Sequence, residues 1–236
     1  VCSVTRGMLL TGNNPIEIGL GAFDYALYPP AKGSPGYEAY LTRTTVTIAE
    51  LLKDSGYRTY MVGKWHLGGT AHGGEGPHEW GFDRSYAIYT GGSNHWNQGV
   101  FHIDMHDPEV VAMVKAGKVP KEPFYEDGKE VDRPSGIYSD DLYTSKMLTF
   151  LEQGRKSGKP FFAYLAYTTP HAPLQAPDFL IDKYFDHYLE SGFEGLKRAR
   201  FESQKAIGLI PKDAPFPDKS KNRLLRAWSQ LSDEEK

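Results

Sequence analysis

The side chains with the clearest chemical potential stand in the first dozen residues, 1–12. They include Cys2, the only cysteine of the chain, and Arg6, four residues later. The apolar residues that follow and the Gly12 stop predict a short buried helix that begins at this cysteine. Unpaired N–H groups and the positive dipole end at a helix start favour anionic chemistry at Cys2. Arg6, one turn later on the same face, adds donors suited to a tetrahedral oxyanion.

Two further polar motifs each follow a predicted strand. Lys64 and His66 come after the β-rich segment 57–62, and His171 comes after the apolar run 161–167. Because ligands of open α/β sheets bind beyond the carboxyl ends of the strands, we expect these side chains to share one site. The alternatives are structural: a solvated strand end for Lys64, a hydrogen-bonded cap for His66, and a buried thiol for Cys2.

Asn94 and His95, which follow a Gly-Gly-Ser segment, are predicted to line the substrate pocket. Five other side chains could ligate zinc. They are His72, His78, His102, Asp104 and His106. These residues lie in loop-like sequence without the i, i+4 spacing of a helical ligand pair, so the sequence argues against a dedicated transition-metal site.

Composition narrows the classes of function. The chain has 236 residues, a formal net charge of −3 and 24% charged residues. A chain with this composition has no excess of basic residues to bind nucleic acid or an anionic membrane, so we expect neither as a partner. The single cysteine excludes an internal disulfide framework, and no apolar run has the length of a membrane span.

The elements that must position these side chains alternate between helix and strand, which predicts an α/β fold. The predicted helices span residues 45–56, 139–151, 178–189 and 194–207, with another from 222 onward. The predicted strands span residues 57–62, 85–89 and 161–167, the last as a central parallel strand. Otherwise, residues 69–135 are predicted to be irregular. Residues 178–236 are predicted to form a peripheral helical segment without catalytic residues.

Together these motifs resemble the type I sulfatases. The first stretch resembles the family signature Cys-x-Pro-x-Arg, with Val4 in the position that is usually proline. Gly-Lys-Trp-His-Leu-Gly at 63–68 matches the second signature residue for residue, and Thr-Pro-His at 169–171 resembles the third element. The motifs occur in the family's order, and flanking segments are similar to the bacterial arylsulfatases in particular.

The resemblance implies an alkaline-phosphatase-like α/β/α sandwich with a mostly parallel central sheet. Residues 1–236 would be the central part of its N-terminal catalytic domain. The sequence predicts truncation at both ends, because the chain begins with the Cys2 motif without Met and ends inside an unfinished helix. We therefore expect an internal fragment that is inactive by itself. The compartment implied is the bacterial cytoplasm or periplasm.

The resemblance also implies sulfuric ester hydrolysis. A formylglycine-generating enzyme would oxidise Cys2, and the hydrated aldehyde would attack the sulfur of a small-molecule sulfate ester. Arg6 and Lys64 would neutralise the sulfate, and His171 would protonate the leaving alcohol. His66 would orient the hydrate and take its proton when the sulfated intermediate releases sulfate and regenerates the aldehyde. Lys64 and His171 would thus contact the substrate, together with the pocket residues named above.

The family's divalent cation, usually Ca²⁺, would be held here by the modified Cys2 alone, with the remaining ligands outside this chain. Two other functions remain open. One is a phosphonate or phosphate monoester hydrolase built on the same site. The other is a non-catalytic relative that binds sulfate esters because Val4 has blocked the modification of Cys2.

Overall fold

The structure, a computed structural model, describes residues 2–23, 27–69, 73–100, 108–118, 121–217 and 226–235. The chain forms two compact units, Val1–Gln175 and Ala176–Lys236. The first unit contains a five-stranded sheet with helices, and the second is helical. No helix within the described ranges is both long and apolar enough to cross a membrane.

The first unit alternates between helices and strands. Its helices are α1 (Cys2–Thr11), α2 (Ile48–Asp54), α3 (Pro108–Lys115) and α4 (Ser139–Arg155). Its strands are β1 (Arg58–Lys64), β2 (Arg84–Ile88), β3 (Phe124–Glu126), β4 (Lys129–Val131) and β5 (Phe161–Ala166). The second unit contains α5 (Asp178–Ala206) and a 3₁₀ turn, Trp228–Gln230.

The strands are arranged in the order β4-β3-β2-β1-β5. β1 pairs in parallel with both β2 and β5, whereas β3 is antiparallel to β2 and β4 is antiparallel to β3. Four of the five strands therefore run in the same direction. The predicted α/β class with a mostly parallel sheet is confirmed.

Alternating side chains of β1 pack into two separate hydrophobic clusters, one on each face of the sheet. Tyr60 and Val62 of β1 pack in a cluster with Leu142 and Phe150 of α4. Met61, the residue between them, belongs to a cluster on the opposite face. That second cluster also includes Leu10 of α1, Ala49 of α2, Trp65 and Trp80. Helices cover both faces of the sheet, as in a three-layer α/β/α sandwich.

Gly63 allows β1 and β5 to approach closely where β1 ends. It pairs with Ala166 of β5 and has a φ angle of 112°, which L side chains rarely adopt. A Cβ at this position would overlap the carbonyl oxygen of Ala166. The glycine of the second motif thus fixes the strand geometry immediately before Lys64.

Several predicted boundaries are confirmed with small shifts. α2 begins after Thr47, whose side chain forms a capping box with Glu50, and β1 continues through Lys64. α5 spans the two helices predicted at 178–189 and 194–207, with a break at Gly192, whose φ and ψ are 60° and −178°.

Other predictions are wrong. The stretch 69–135, predicted to be irregular apart from one strand, also contains α3, β3 and β4. These strands have three residues each, too few to show a period. β5 lies at an edge of the described sheet and not at its centre. Of the helix predicted from 222, residues 222–225 lie outside the described residues, and 226–235 contain only a 3₁₀ turn.

Candidate active site

Cys2 is the first residue of α1, and its thiol points to a histidine of the second motif. Its Sγ lies 3.2 Å from Nδ1 of His66, a contact that joins residues 64 positions apart in the chain. α1 packs closely against the residues beneath it, because a Cβ at Gly7 would overlap the Leu20 side chain. The sequence Cys-Ser-Val-Thr-Arg-Gly therefore presents its cysteine at the beginning of a packed helix.

Arg6 is anchored by the two strands that flank the site. Its Nη1 donates to the backbone oxygen of Lys64 at 2.6 Å and to the hydroxyl of Tyr164 at 3.0 Å. These bonds set the guanidinium beside the end of β1. Sequence reasoning missed Tyr164, since a tyrosine within an apolar strand carries no signal of a partner 158 residues away.

Lys64 is a buried charge at the carboxyl end of β1. Its side chain is 2% exposed, although lysine is almost never buried without a partner. Burial lowers the pKa of Lys64, the charge interaction with Cys2 opposes this, the positive charge of Arg6 lowers the pKa further, and a hydrogen bond with Cys2 raises it. Lys64 therefore shares one small polar region with Cys2 and Arg6.

His66 stands in an unusual backbone conformation directly after β1. Its φ angle is 55°, in the left-handed region, and its ring stacks on Phe23 at 6.3 Å between centroids. Burial lowers the pKa of His66 to about 3, with further lowering by the charges of Lys64, Arg6 and His171. His66 is therefore uncharged at neutral pH.

His171 lies in the loop that follows β5. Its Nδ1 is 2.9 Å from the carbonyl oxygen of Ala172, and because a carbonyl only accepts hydrogen bonds, this nitrogen carries a proton. His171 is also among the charges that lower the pKa of His66. The loops after the two parallel strands β1 and β5 thus bring these histidines to the same edge of the sheet.

The two predicted pocket residues differ from this group. The side-chain oxygen of Asn94 accepts hydrogen bonds from the backbone nitrogens of Trp96 and Asn97, at 2.9 and 3.2 Å. His95 is 1% exposed, and its ring nitrogens bond to Ser139 and to the backbone of His171. Substrate contact by Asn94 and His95 stays a prediction, and the structure shows His95 bonded within the protein.

The structure describes only one of the five alternative zinc ligands, His78. His72, His102, Asp104 and His106 lie outside the described residues. Across the part of the chain that the structure describes, no group of three or more His, Cys, Asp or Glu side chains could hold a metal ion.

The geometry can therefore bind an anion at residue 2 between Arg6 and Lys64, with two histidines placed for proton transfer. A family model described as sulfatase matches residues 1–197 of the chain. The chain belongs to the sulfatase family. Membership implies the family's use of a formylglycine and a metal ion.

Relatives of this sulfatase chain include an arylsulfatase of Klebsiella aerogenes, 36% identical over 98% of the chain and 45% of the relative. An uncharacterised sulfatase of Schizosaccharomyces pombe is also 36% identical, over 100% of the chain and 41% of its own length. The chain thus spans less than half the length of these relatives.

Two solved structures resemble the sulfatase chain in three dimensions. Ps i-CgsB, solved in complex with k-i-k-neocarrahexaose, has a TM-score of 0.56 at 29% identity, covering 78% of this chain and 38% of its own. PsFucS1 sulfatase from Pseudoalteromonas sp. has a TM-score of 0.51 at 22% identity, covering 77% of this chain and 37% of its own. These likenesses confirm the alkaline-phosphatase-like fold.

Proposed function

We propose that the protein to which this chain belongs hydrolyses sulfate monoesters, with residue 2 as the nucleophile after its conversion to formylglycine. The observation that carries this proposal is the position of Cys2 Sγ, 3.2 Å from Nδ1 of His66 at the start of α1. Arg6 and Lys64 adjoin the same place. An anionic ester bound at residue 2 would therefore face two cationic side chains.

Arg6 and Lys64 supply the charge that the sulfate group needs. Lys64 is nearly fully buried, so its charge acts where water screens it little. The Arg6 guanidinium is fixed by Tyr164 and the Lys64 backbone before any substrate arrives. Donors held in place in this way stabilise the charge that develops on the sulfate oxygens without reorganising.

A hydrated formylglycine at position 2 would supply the hydroxyl oxygen that bonds to sulfur, while the bond from sulfur to the ester oxygen breaks. His66, uncharged because its pKa is about 3, can accept a proton at Nδ1 from the group at position 2. A bound sulfate ester offsets the charges of Lys64 and Arg6, which raises the pKa of His66 and makes it a stronger base.

His171 protonates the departing alcohol. Its Nδ1 keeps the proton that bonds to Ala172, so the acid is the imidazolium form of His171, which gives the proton on Nε2 to the ester oxygen and becomes neutral. An imidazole is suited to this exchange near neutral pH. His171, which follows β5, thus donates one proton, and His66, which follows β1, accepts the other.

Ca²⁺ is the metal that we propose for the complete site. It requires six to eight oxygen ligands, and the described residues include no acidic cluster for it. Position 2 is the one ligand assigned from this chain, so these residues alone do not fit a calcium site. We assign no step to the metal, and we propose that the other ligands come from outside this chain.

Two partners follow from the proposal. One is a small-molecule sulfate ester. The other is a formylglycine-generating enzyme that must read the stretch from Cys2 to Arg6, with Val4 where proline is usual. The side chain of Val4 is half-buried in α1. The modifying enzyme would therefore meet this stretch before the helix packs.

The proposal is tested by comparing kcat/KM of the full-length protein for 4-nitrophenyl sulfate, 4-nitrophenyl phosphate and an aryl phosphonate monoester. We expect the sulfate ester to be preferred by at least about tenfold, and Cys2→Ala to abolish turnover. Preference for the phosphonate would instead identify a phosphonate monoester hydrolase. Binding of the sulfate ester without turnover would identify a non-catalytic relative.

A further inference from the structure

His95 occupies a buried position between α4 and the loop that carries His171. Its ring is 1% exposed and packs against Tyr138 at 5.7 Å between centroids. Nδ1 lies 2.7 Å from the hydroxyl oxygen of Ser139, the first residue of α4. Nε2 lies 3.1 Å from the backbone oxygen of His171. Both ring nitrogens are therefore bonded to the protein.

The chemistry of these partners fixes the direction of one bond. A backbone carbonyl has no proton, so Nε2 of His95 must be the donor to His171. The backbone of His95 is itself held, because its N–H donates to the Gln175 side chain at 2.9 Å and its carbonyl accepts from Arg133 at 2.8 Å. His95 is thus a rigid donor aimed at the peptide that carries the proposed acid.

The same loop is held from a second direction by α4. The hydroxyl of Thr169 donates to Asp140 at 2.6 Å, and the ring of His171 bonds to the next carbonyl, that of Ala172. The orientation of the His171 ring therefore depends on the peptide to which His95 donates. A histidine released from this peptide could turn its Nε2 away from the ester oxygen.

We propose that His95 is a positioning residue: its Nε2–H holds the backbone of His171 so that the His171 ring can protonate the leaving alcohol. This inference rests on the proposed function, because it gives His171 the role of the acid. It assigns to His95 a role in proton transfer that acts through His171 and does not require contact with the substrate. The loss of His95 should therefore matter most when the leaving group needs a proton.

Substituting His95 by Gln or by Asn in the full-length protein distinguishes the roles of its two ring nitrogens. Gln can place its amide nitrogen near the position of Nε2 and keep the donor to His171, whereas Asn reaches only the position of Nδ1 near Ser139. We expect His95→Asn to lower kcat/KM about tenfold or more for phenyl sulfate, whose leaving group requires protonation. For 4-nitrophenyl sulfate we expect a loss below about threefold, since nitrophenolate leaves without a full proton.

His95→Gln should stay within about threefold of the parent protein on both esters, since its donor is retained. Equal losses on the two esters for His95→Asn, or a leaving-group effect as large in His95→Gln, would overturn the proposal. Ser139→Ala is a second variant that keeps the ring and removes its anchor. It should shift the ratio of the two rates in the same direction by a smaller factor, and an unchanged ratio would count against the proposal.

His171→Ala distinguishes this inference from the function on which it rests. If His171 is the acid, its removal should lower the rate for phenyl sulfate far more than the rate for 4-nitrophenyl sulfate. Equal losses in His171→Ala would overturn both the acid role and the inference. A strong leaving-group effect in His171→Ala with none in His95→Asn would overturn the inference alone.

Discussion

Lys64 combines two properties that folded proteins rarely allow together, a charge and almost complete burial. Its side chain is 2% exposed, and its neighbour Arg6 has the same charge. Such an arrangement costs stability, because the ammonium group is removed from water beside a second cation. A site that binds an anion explains why the cost is tolerated, since the ligand supplies the missing negative charge.

Lys64→Met in the full-length protein should therefore separate activity from stability. We expect kcat/KM for an aryl sulfate to fall by at least about 10²-fold, while the Tm stays the same or rises as the buried charge disappears. Lys53→Met is the matched control, since Lys53 is half-exposed and pairs with Asp83 at 3.1 Å. An unchanged rate in Lys64→Met would contradict the role of this lysine.

Single residues were predictable where a motif joined residue type to spacing. Such motifs predict Cys2, Arg6, Lys64 and His66, and the structure brings these residues together. Tyr164 is not predictable in this way, because a partner that supports Arg6 is recognisable only after the strands have aligned. The hydrogen bonds of His95 were likewise invisible, since they join residues 44 and 76 positions apart.

At the scale of elements, the end of β1 depends on a glycine that serves packing and conformation at once. Gly63 adopts a φ of 112° and faces the backbone of β5. Gly56, before the same strand, has a φ of 88° with no atom within 4 Å of an added Cβ. Both glycines have a positive φ, but they differ in their surroundings.

We expect Gly63→Ala to lower the free energy of unfolding by about 2 kcal/mol more than Gly56→Ala does, because only the former overlaps the Ala166 carbonyl. Gly56→Ala should cost about 1 kcal/mol from its conformation alone. Urea titration of both variants measures the difference. Equal costs would show that β1 and β5 do not require this close approach.

The elements with a long, clear pattern were predicted, and the short ones were not. α4 and β5 each carry enough apolar residues to reveal their period, and α2 has a capping box. The hairpin of β3 and β4 has strands of three residues. The position of β5 at the edge of the described sheet depends on which strands pair with it, and an apolar run does not specify that.

On the scale of the whole molecule, Glu122 makes stability depend on pH. It is 5% exposed, and the Thr90 hydroxyl is its hydrogen-bond partner. Burial raises its pKa to about 7, despite the opposing effect of the Thr90 bond. The folded protein thus retains a proton that the unfolded chain releases near pH 4.5. The resulting stabilisation is complete below that pH and is lost as the pH rises through about 7.

Glu122→Gln removes this titration and keeps a hydrogen-bonding group. Between pH 5 and 8 the stability of the variant relative to the parent should therefore increase, by a total on the order of 2 kcal/mol. Thermal unfolding across this range measures the change, with Glu130→Gln, an exposed residue of β4, as the control. A constant difference between parent and Glu122→Gln would contradict the raised pKa.

The proposed hydrolysis requires a formylglycine at residue 2, whose chemical state is directly measurable. The measurement is mass spectrometry of the peptide that contains Cys2 and Arg6, from full-length protein produced in its native host. We predict an aldehyde or its hydrate in place of the thiol, which would show that Val4 permits the modification. An unmodified thiol in every molecule would leave the fold and family unchanged and would contradict the proposed hydrolysis of sulfate esters.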